Sequence, residues 1–157
     1  MKAYVINLDS RSDRWADVIA QNESLGLEIH RVSAVAVDSV VASPYVTRVI
    51  AATWQSHQKA MKLFLESSQE YALIMEDDFT LASNFKEKLE QLTQLGEFVR
   101  KEVIFLGYHM FEKERNKFQN IYNIYNNDIQ LNNLAIKLLN RQIYIGGYFA
   151  YSINKMG

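Results

Sequence analysis

The sequence predicts an α/β fold with a mostly parallel central sheet, and three observations carry that expectation. Strand-like runs alternate with segments of helical periodicity in the order β-α-β-α-β-α-β, followed by an irregular stretch and a last strand. The run Ala72–Met75 has no polar alternation, as in a strand buried on both faces. One proline and six glycines in 157 residues leave no linker-like segment, so one domain over residues 1–157 is expected.

Ala3-Tyr4-Val5-Ile6-Asn7-Leu8 is β-branched and aromatic and reads as the first strand. A polar turn, Asp9 to Arg14, precedes apolar residues at Trp15, Val18, Ile19 and Leu25, whose spacing is that of an amphipathic helix stopped by Gly26. Ser10 with Asp13 three residues later resembles a capping box, with Asp in place of Glu. This strand-turn-helix presents free N–H groups together with Arg11 and Arg14, a ready anion site. The alternative is that both arginines face solvent. Glu28–Val35 is a second strand completing a right-handed β-α-β unit, with His30 as a structural residue.

Asp38–Arg48 is an irregular loop containing Pro44, and Val49–Ser67 is a helix with Trp54, Met61, Phe64 and Leu65 on its apolar side. Ser56-His57 within it is no nucleophile pair, because adjacent helical residues do not face each other; on spacing alone His57 is a packed or capping histidine. Phe85, Leu89, Leu92, Leu95 and Val99 form a helical stripe from about Asn84 to Arg100. Val103–Gly107 is a further core strand ending in Tyr108-His109. Ile143–Ile153 begins and ends strand-like around Gly146-Gly147. Between them Lys113–Asn140 is rich in Asn, Tyr, Ile and Lys, either an insertion over the site or a loosely packed helical stretch.

The chemistry concentrates where the apolar run from Tyr71 ends in Glu76-Asp77-Asp78. Three adjacent carboxylates cannot be buried unpaired, so the strand stops there at the edge of the core. Ligands of open α/β sheets bind outside the carboxyl ends of the strands, and hard oxygen donors there suit Mg²⁺ or Mn²⁺. A strand extended through the triplet would put Glu76 and Asp78 on one face and Asp77 on the other. The competing reading is a solvated acidic loop.

Composition removes other classes. A net charge of −1 offers no field for nucleic acid. The absence of cysteine excludes disulfides and thiolate chemistry and fits a cytoplasmic location. No apolar run approaches the roughly 20 residues that span a bilayer, and strand-like sequence from Ala3 leaves no room for a signal peptide.

Four stretches in order resemble glycosyltransferase family 25, the sugar transferases of lipooligosaccharide type: Tyr4–Asp9 with Arg11–Trp15, Ala51–His57, Leu73–Phe79, and Gly146–Ile153. Leu106-Gly107 matches a short strand end between them, while Gln55 stands where an apolar residue is usual. The resemblance implies a GT-A-like, Rossmann-type nucleotide-binding sheet and a metal-dependent transfer of a sugar, galactose foremost, from a UDP-sugar to a lipooligosaccharide or other surface-glycan acceptor. It implies Mn²⁺ or Mg²⁺ at Asp78 first, then Asp77 and Glu76, and nucleotide or phosphate contacts from Asn7, Asp9, Arg11 and Arg14. His57 becomes a supporting residue that orients Asp77 or the nucleotide. His109 is a weaker candidate metal ligand, and Asp128 a weak candidate for the general base that such a transfer requires.

On this basis residues 1–110 are the nucleotide-sugar-binding part and 111–157 a partial acceptor-side part. The sequence is C-terminally short, ending at Asn154-Lys155-Met156-Gly157 where relatives enter another helix. A truncated, non-catalytic module binding a nucleotide-sugar or a partner is therefore the alternative. Peripheral contact with the inner face of the bacterial inner membrane and homo-oligomer formation are further expectations. A phosphotransfer or hydrolase domain is disfavoured by the lack of a Gly-rich phosphate loop.

Overall fold

The computed structural model describes residues 1–41, 43–107, 129–131, 134–136 and 150–156. The chain runs β1 (Lys2–Asn7), α1 (Ser12–Leu25), β2 (Glu28–Ser33), α2 (Arg48–Glu66), β3 (Tyr71–Glu76), α3 (Phe85–Gln94), α4 (Glu97–Arg100), β4 (Val103–Gly107), β5 (Ile129–Leu131), β6 (Leu134–Ile136) and β7 (Ala150–Asn154). Tyr108, His109, Glu112, Glu114, Phe118–Tyr125, Asp128 and Gly146-Gly147 lie outside the described residues. The described part of the Asn/Tyr-rich stretch is an antiparallel pair, β5 with β6, rather than helix.

The main sheet has the order β2-β1-β3-β7-β4. β1 pairs in parallel with β2 and β3, whereas β7 pairs antiparallel with both β3 and β4. The α/β class is as expected, but the sheet is mixed rather than mostly parallel. The last strand is inserted between β3 and β4, so these two never pair directly. A strand buried on both faces reads as a continuous apolar run whichever way its neighbours point, so the sequence carried no signal of that reversal.

Strand alternation divides the core into two layers. Ala3 and Val5 of β1 with Leu73 and Met75 of β3 pack against Val18 of α1, Leu89 and Leu92 of α3, and Phe98 of α4. Tyr4, Ile6, Ala72, Ile74, Tyr151 and Ile153 face the other way, onto Ala60 and Phe64 of α2. Phe64 is fully buried, and its truncation to alanine would cost about 3–5 kcal/mol. With α1 on one face and α2 on the other, the chain leaves β1 toward β2 and leaves β3 toward the opposite edge. The carboxyl ends of β1 and β3 therefore flank the point where the strand order reverses, where open α/β sheets form their crevice.

Local sequence explains most element ends. Gly26 takes a left-handed conformation (φ 65°) and its N–H donates to the Asn22 carbonyl, closing α1 as expected. Thr47 caps α2, accepting from the Ile50 N–H at 3.3 Å. Three expectations are corrected. The helical stripe Asn84–Arg100 is two helices, because Gly96 adopts φ 67° and ends the first. The Ser10/Asp13 capping box does not form; Arg11 is the N-cap residue, and its guanidinium takes the Asp13 carboxylate at 2.6 and 2.9 Å. On α2 the buried face is Ala52, Ser56, His57, Ala60 and Phe64, so Trp54 and Leu65 are exposed.

Candidate functional site

β1 ends in Asn7, a buried polar residue at the end of an apolar strand. Its amide is fully used. Nδ2 donates to the Arg11 carbonyl at 3.0 Å and to Asp77 Oδ2 at 2.6 Å, while Oδ1 accepts from the Arg31 guanidinium, with Nε at 2.9 Å. One side chain thus ties the turn after β1, the end of β3 and edge strand β2 together. Arg31 also stacks over the Trp15 ring, 5.2 Å from its centroid, which orients the guanidinium. Asp9 accepts from Ser33 Oγ at 2.9 Å and lies 3.9 Å from Arg31.

β3 stops at Glu76, and Asp77-Asp78 form a turn. Arg14 Nη1 donates to Asp77 Oδ1 at 3.0 Å and to Asp78 Oδ2 at 3.2 Å. The alternation expected across the triplet is therefore corrected: because the strand ends, Asp77 and Asp78 converge on one arginine and Glu76 is set apart. The Asp77 side chain is 10% exposed and that of Asp78 38%, so the first is mainly anchored and the second mainly presented. Gln21 of α1 donates to the Phe79 carbonyl at 3.2 Å and accepts from the Leu81 N–H at 3.1 Å, pinning the loop after the triplet.

Around this pair lies a cleft of about 520 Å³, lined by Arg11, Arg14, Asp17, Asp77, Asp78 and Thr80 among others. Both of its arginines are already paired with carboxylates, and four aspartates (Asp13, Asp17, Asp77 and Asp78) against two arginines leave it net acidic. The bidentate hydrogen bond from Arg11 holds the Asp13 carboxyl well below the usual carboxylate range. The same bond, with the fields of Asp13, Asp77 and Asp78, raises Arg11 further. Among the described residues no group of three His, Cys, Asp or Glu is arranged to hold a metal.

Glu76 sits across the sheet, on the α2 side. Its Oε1 is 3.2 Å from His57 Nε2, and His57 Nδ1 is 3.0 Å from the Tyr151 hydroxyl. Burial pushes the Tyr151 phenol well above its ordinary 10.0, and the negative field of Glu76 adds to this. One neutral arrangement satisfies every group: Tyr151 O–H donates to Nδ1, and Nε2–H donates to Glu76. His57 therefore orients Glu76 rather than Asp77. Its neighbour Ser56 joins no catalytic pair; Oγ donates to the Ala52 carbonyl at 2.7 Å and accepts from the Val35 N–H at 2.8 Å, fastening the loop after β2 to α2.

The structure brings Asn7, Asp9, Arg11, Arg14, Asp77 and Asp78 to one sheet edge and places His57 with Glu76 on the opposite face. Asp128 lies outside the described residues. Arg31, Gln21 and the role of Tyr151 escaped sequence reading. An arginine at a strand position two before Ser33, hence on the same face, was the available signal for Arg31.

No curated protein matches the chain. A family model does, that of glycosyltransferase family 25 (LPS biosynthesis protein), over residues 41–156. The matched span includes α2 with His57, the acidic end of β3 and all of β7, and the fold adds Asn7 and Arg14 from the unmatched first strand and helix. Since the match covers most of the 157 residues, the chain belongs to glycosyltransferase family 25.

Proposed function

We propose that this member of the family transfers a sugar, galactose foremost, from a UDP-sugar to a lipooligosaccharide or other surface-glycan acceptor, on a GT-A-like, Rossmann-type sheet. The observation that carries this reading is the Asp77–Arg14–Asp78 cluster in a cleft where the strand order reverses.

A divalent cation fits the donor set. Mg²⁺ and Mn²⁺ commonly take one or two carboxylates and complete their shell with water and phosphate oxygens, so Asp77 and Asp78 would suffice without a third protein ligand. When bound, such a cation neutralises the charge that develops on the leaving diphosphate. Asp78, the more exposed carboxylate, is the first ligand and Asp77 the second. Glu76, held by His57, supports the strand end rather than the metal. Arg14 and Arg11 meet the phosphate oxygens at the rim, and Asn7 keeps Asp77 fixed while its neighbours rearrange.

In the transfer, the bond from the anomeric carbon to the diphosphate oxygen breaks and UDP departs with the electron pair. The acceptor hydroxyl oxygen bonds to that carbon and gives its proton to a base. Asp128 is the sequence's candidate for that base.

The alternative is a non-catalytic module that binds a nucleotide-sugar or a partner; to hold a diphosphate there, Arg11 and Arg14 must likewise loosen their pairs with Asp13, Asp77 and Asp78. Calorimetric titration of UDP and UDP-galactose, with and without Mn²⁺, on the wild type and on Asp78→Ala tests the donor site. Metal-dependent binding lost in the variant supports it, and absence of binding in both conditions overturns it. Turnover of UDP-galactose with a glycan acceptor then separates a transferase from a binding module.

A further inference from the structure

We propose that Glu76 and Trp54 form the subsite for an acceptor pyranoside, on the α2 side of the sheet edge and across β3 from the Asp77–Asp78 cleft. Its centre is a buried polar network built around one accessible group. His57 and Tyr151 are both buried, and burying an imidazole and a phenol costs free energy that an aliphatic pair would not. The two satisfy each other, and the second imidazole nitrogen lies 3.2 Å from Glu76 Oε1. The Glu76 side chain is 26% exposed and has no further hydrogen bond among the described residues, and its Oε2 is open to solvent. A carboxylate only accepts, so the complement of that oxygen is a hydroxyl or N–H donor.

Trp54 supplies an apolar wall next to it. His57 stands level with Glu76 at the end of β3. Lys155, whose N–H donates to the Glu70 carbonyl just before β3, reaches the Ser67 carbonyl just past α2, so helix and strand run antiparallel. Trp54, three residues earlier and a surface neighbour of His57, therefore lies about 4.5 Å further out past the strand end. At 100° per residue it stands about 60° round the helix from His57, on the rim opposite Lys59, which reaches the Ser33 carbonyl of β2 at 2.9 Å. That rim looks toward β7, the strand of Tyr151. The Trp54 ring is 59% exposed.

An exposed indole beside a fixed carboxylate selects the ligand class. A pyranoside has an apolar C–H face and hydroxyl donors at its rim, and small-molecule sites join aromatic walls to a few placed polar groups. Position selects it too. Glu76 and Asp77 are consecutive, so a sugar bound through Glu76 lies across a single strand from the cleft assigned to the donor, where its hydroxyl can be presented to the anomeric carbon. Naming that sugar the acceptor rests on the transferase reading; the subsite itself does not.

The full chain is titrated by saturation-transfer NMR, with no nucleotide present, against the methyl glycosides of glucose, galactose and N-acetylglucosamine and against lactose. Expected is binding of at least one, weakened at least about tenfold in Glu76→Gln and in Trp54→Ala and largely kept in Trp54→Phe. Circular dichroism reports that the variants remain folded, and Trp54, being exposed, can be changed without touching the core. No binding of any of these sugars overturns the proposal, as does affinity unchanged in either Glu76→Gln or Trp54→Ala. Affinity lost in Asp78→Ala alone would move the sugar to the donor cleft and likewise overturn it. So would tighter binding of tetramethylammonium than of any sugar, which would assign the indole and carboxylate to a cation. Sugar binding with the expected losses, but no UDP binding with Mn²⁺, would sustain the subsite and overturn the transferase reading.

Discussion

The Asn7 amide donates to the Asp77 carboxylate at 2.6 Å across 70 positions of sequence, joining the ends of two parallel strands at the mouth of the cleft. Asn7 is buried, and all its polar atoms are engaged. Asn7→Ala would take the donor from Asp77 Oδ2 and the acceptor from the Arg31 guanidinium in a partly buried place, while Arg14 still holds Asp77 Oδ1, at a cost of about 1–3 kcal/mol. Urea unfolding should show a lower midpoint at unchanged slope, and metal-dependent nucleotide affinity should fall with it. Unchanged midpoint and affinity would remove Asn7 from the machinery of the site.

Gly96 provides a sharper backbone test. Its φ of 67° is left-handed, and a Cβ there would meet nothing within 4 Å. The penalty for Gly96→Ala is therefore conformational alone, about 1–2 kcal/mol, with no packing clash. Asn tolerates this region better, so Gly96→Asn should recover part of the loss. Equal stability of all three in denaturant would show that the break between α3 and α4 does not need that conformation.

Gly96 also shows what the sequence did and did not reveal. Phe85, Leu89, Leu92, Leu95 and Val99 keep a helical period straight through it, because periodicity records which side is apolar and not whether the axis continues. The apolar strands, the Gly26 stop and the acidic edge were legible for the opposite reason, since each is set by residues adjacent in the chain. The reversal of β7 and the Arg31–Asn7–Asp77 network were not, because strand direction and contacts across 24 or 70 positions depend on tertiary placement. The triplet was read in half. Its position at a strand end was right, but the strand stops at Glu76, and the turn regroups the carboxylates.

Tyr151 gives a pH dependence whose sign can be worked out. Burial favours the neutral phenol, so its pKa in the folded chain is raised above the ordinary 10.0 of the unfolded chain. Below about pH 10 both states hold the proton, and the contribution is fully present. As pH rises further the unfolded chain releases its proton first, and stability falls by up to about 1.4 kcal/mol per pH unit until the folded phenol also ionises. Tyr151→Phe should flatten this alkaline limb relative to wild type in urea titrations between neutral pH and pH 11. At neutral pH it should lose only the hydrogen bond to His57, about 0.5–1.5 kcal/mol. An alkaline limb of equal steepness in both proteins would contradict the buried phenol.

The separation of the acidic triplet across the sheet predicts a division of labour. Asp78 faces the cleft and is only partly covered, so Asp78→Ala should abolish the metal-dependent part of nucleotide binding while shifting stability by less than about 1 kcal/mol. Glu76 faces His57 on the α2 side, so Glu76→Gln should do the reverse. It weakens a charge-assisted hydrogen bond, lowering stability by about 1 kcal/mol, and leaves nucleotide affinity within a few-fold of wild type. His57→Ala should resemble Glu76→Gln in binding, because it acts on the same carboxylate. Calorimetry with Mn²⁺ and urea unfolding on the three variants decide between two arrangements. If Glu76→Gln loses binding as completely as Asp78→Ala, all three carboxylates serve one ion, and the sheet edge must rearrange to bring Glu76 round when the donor arrives.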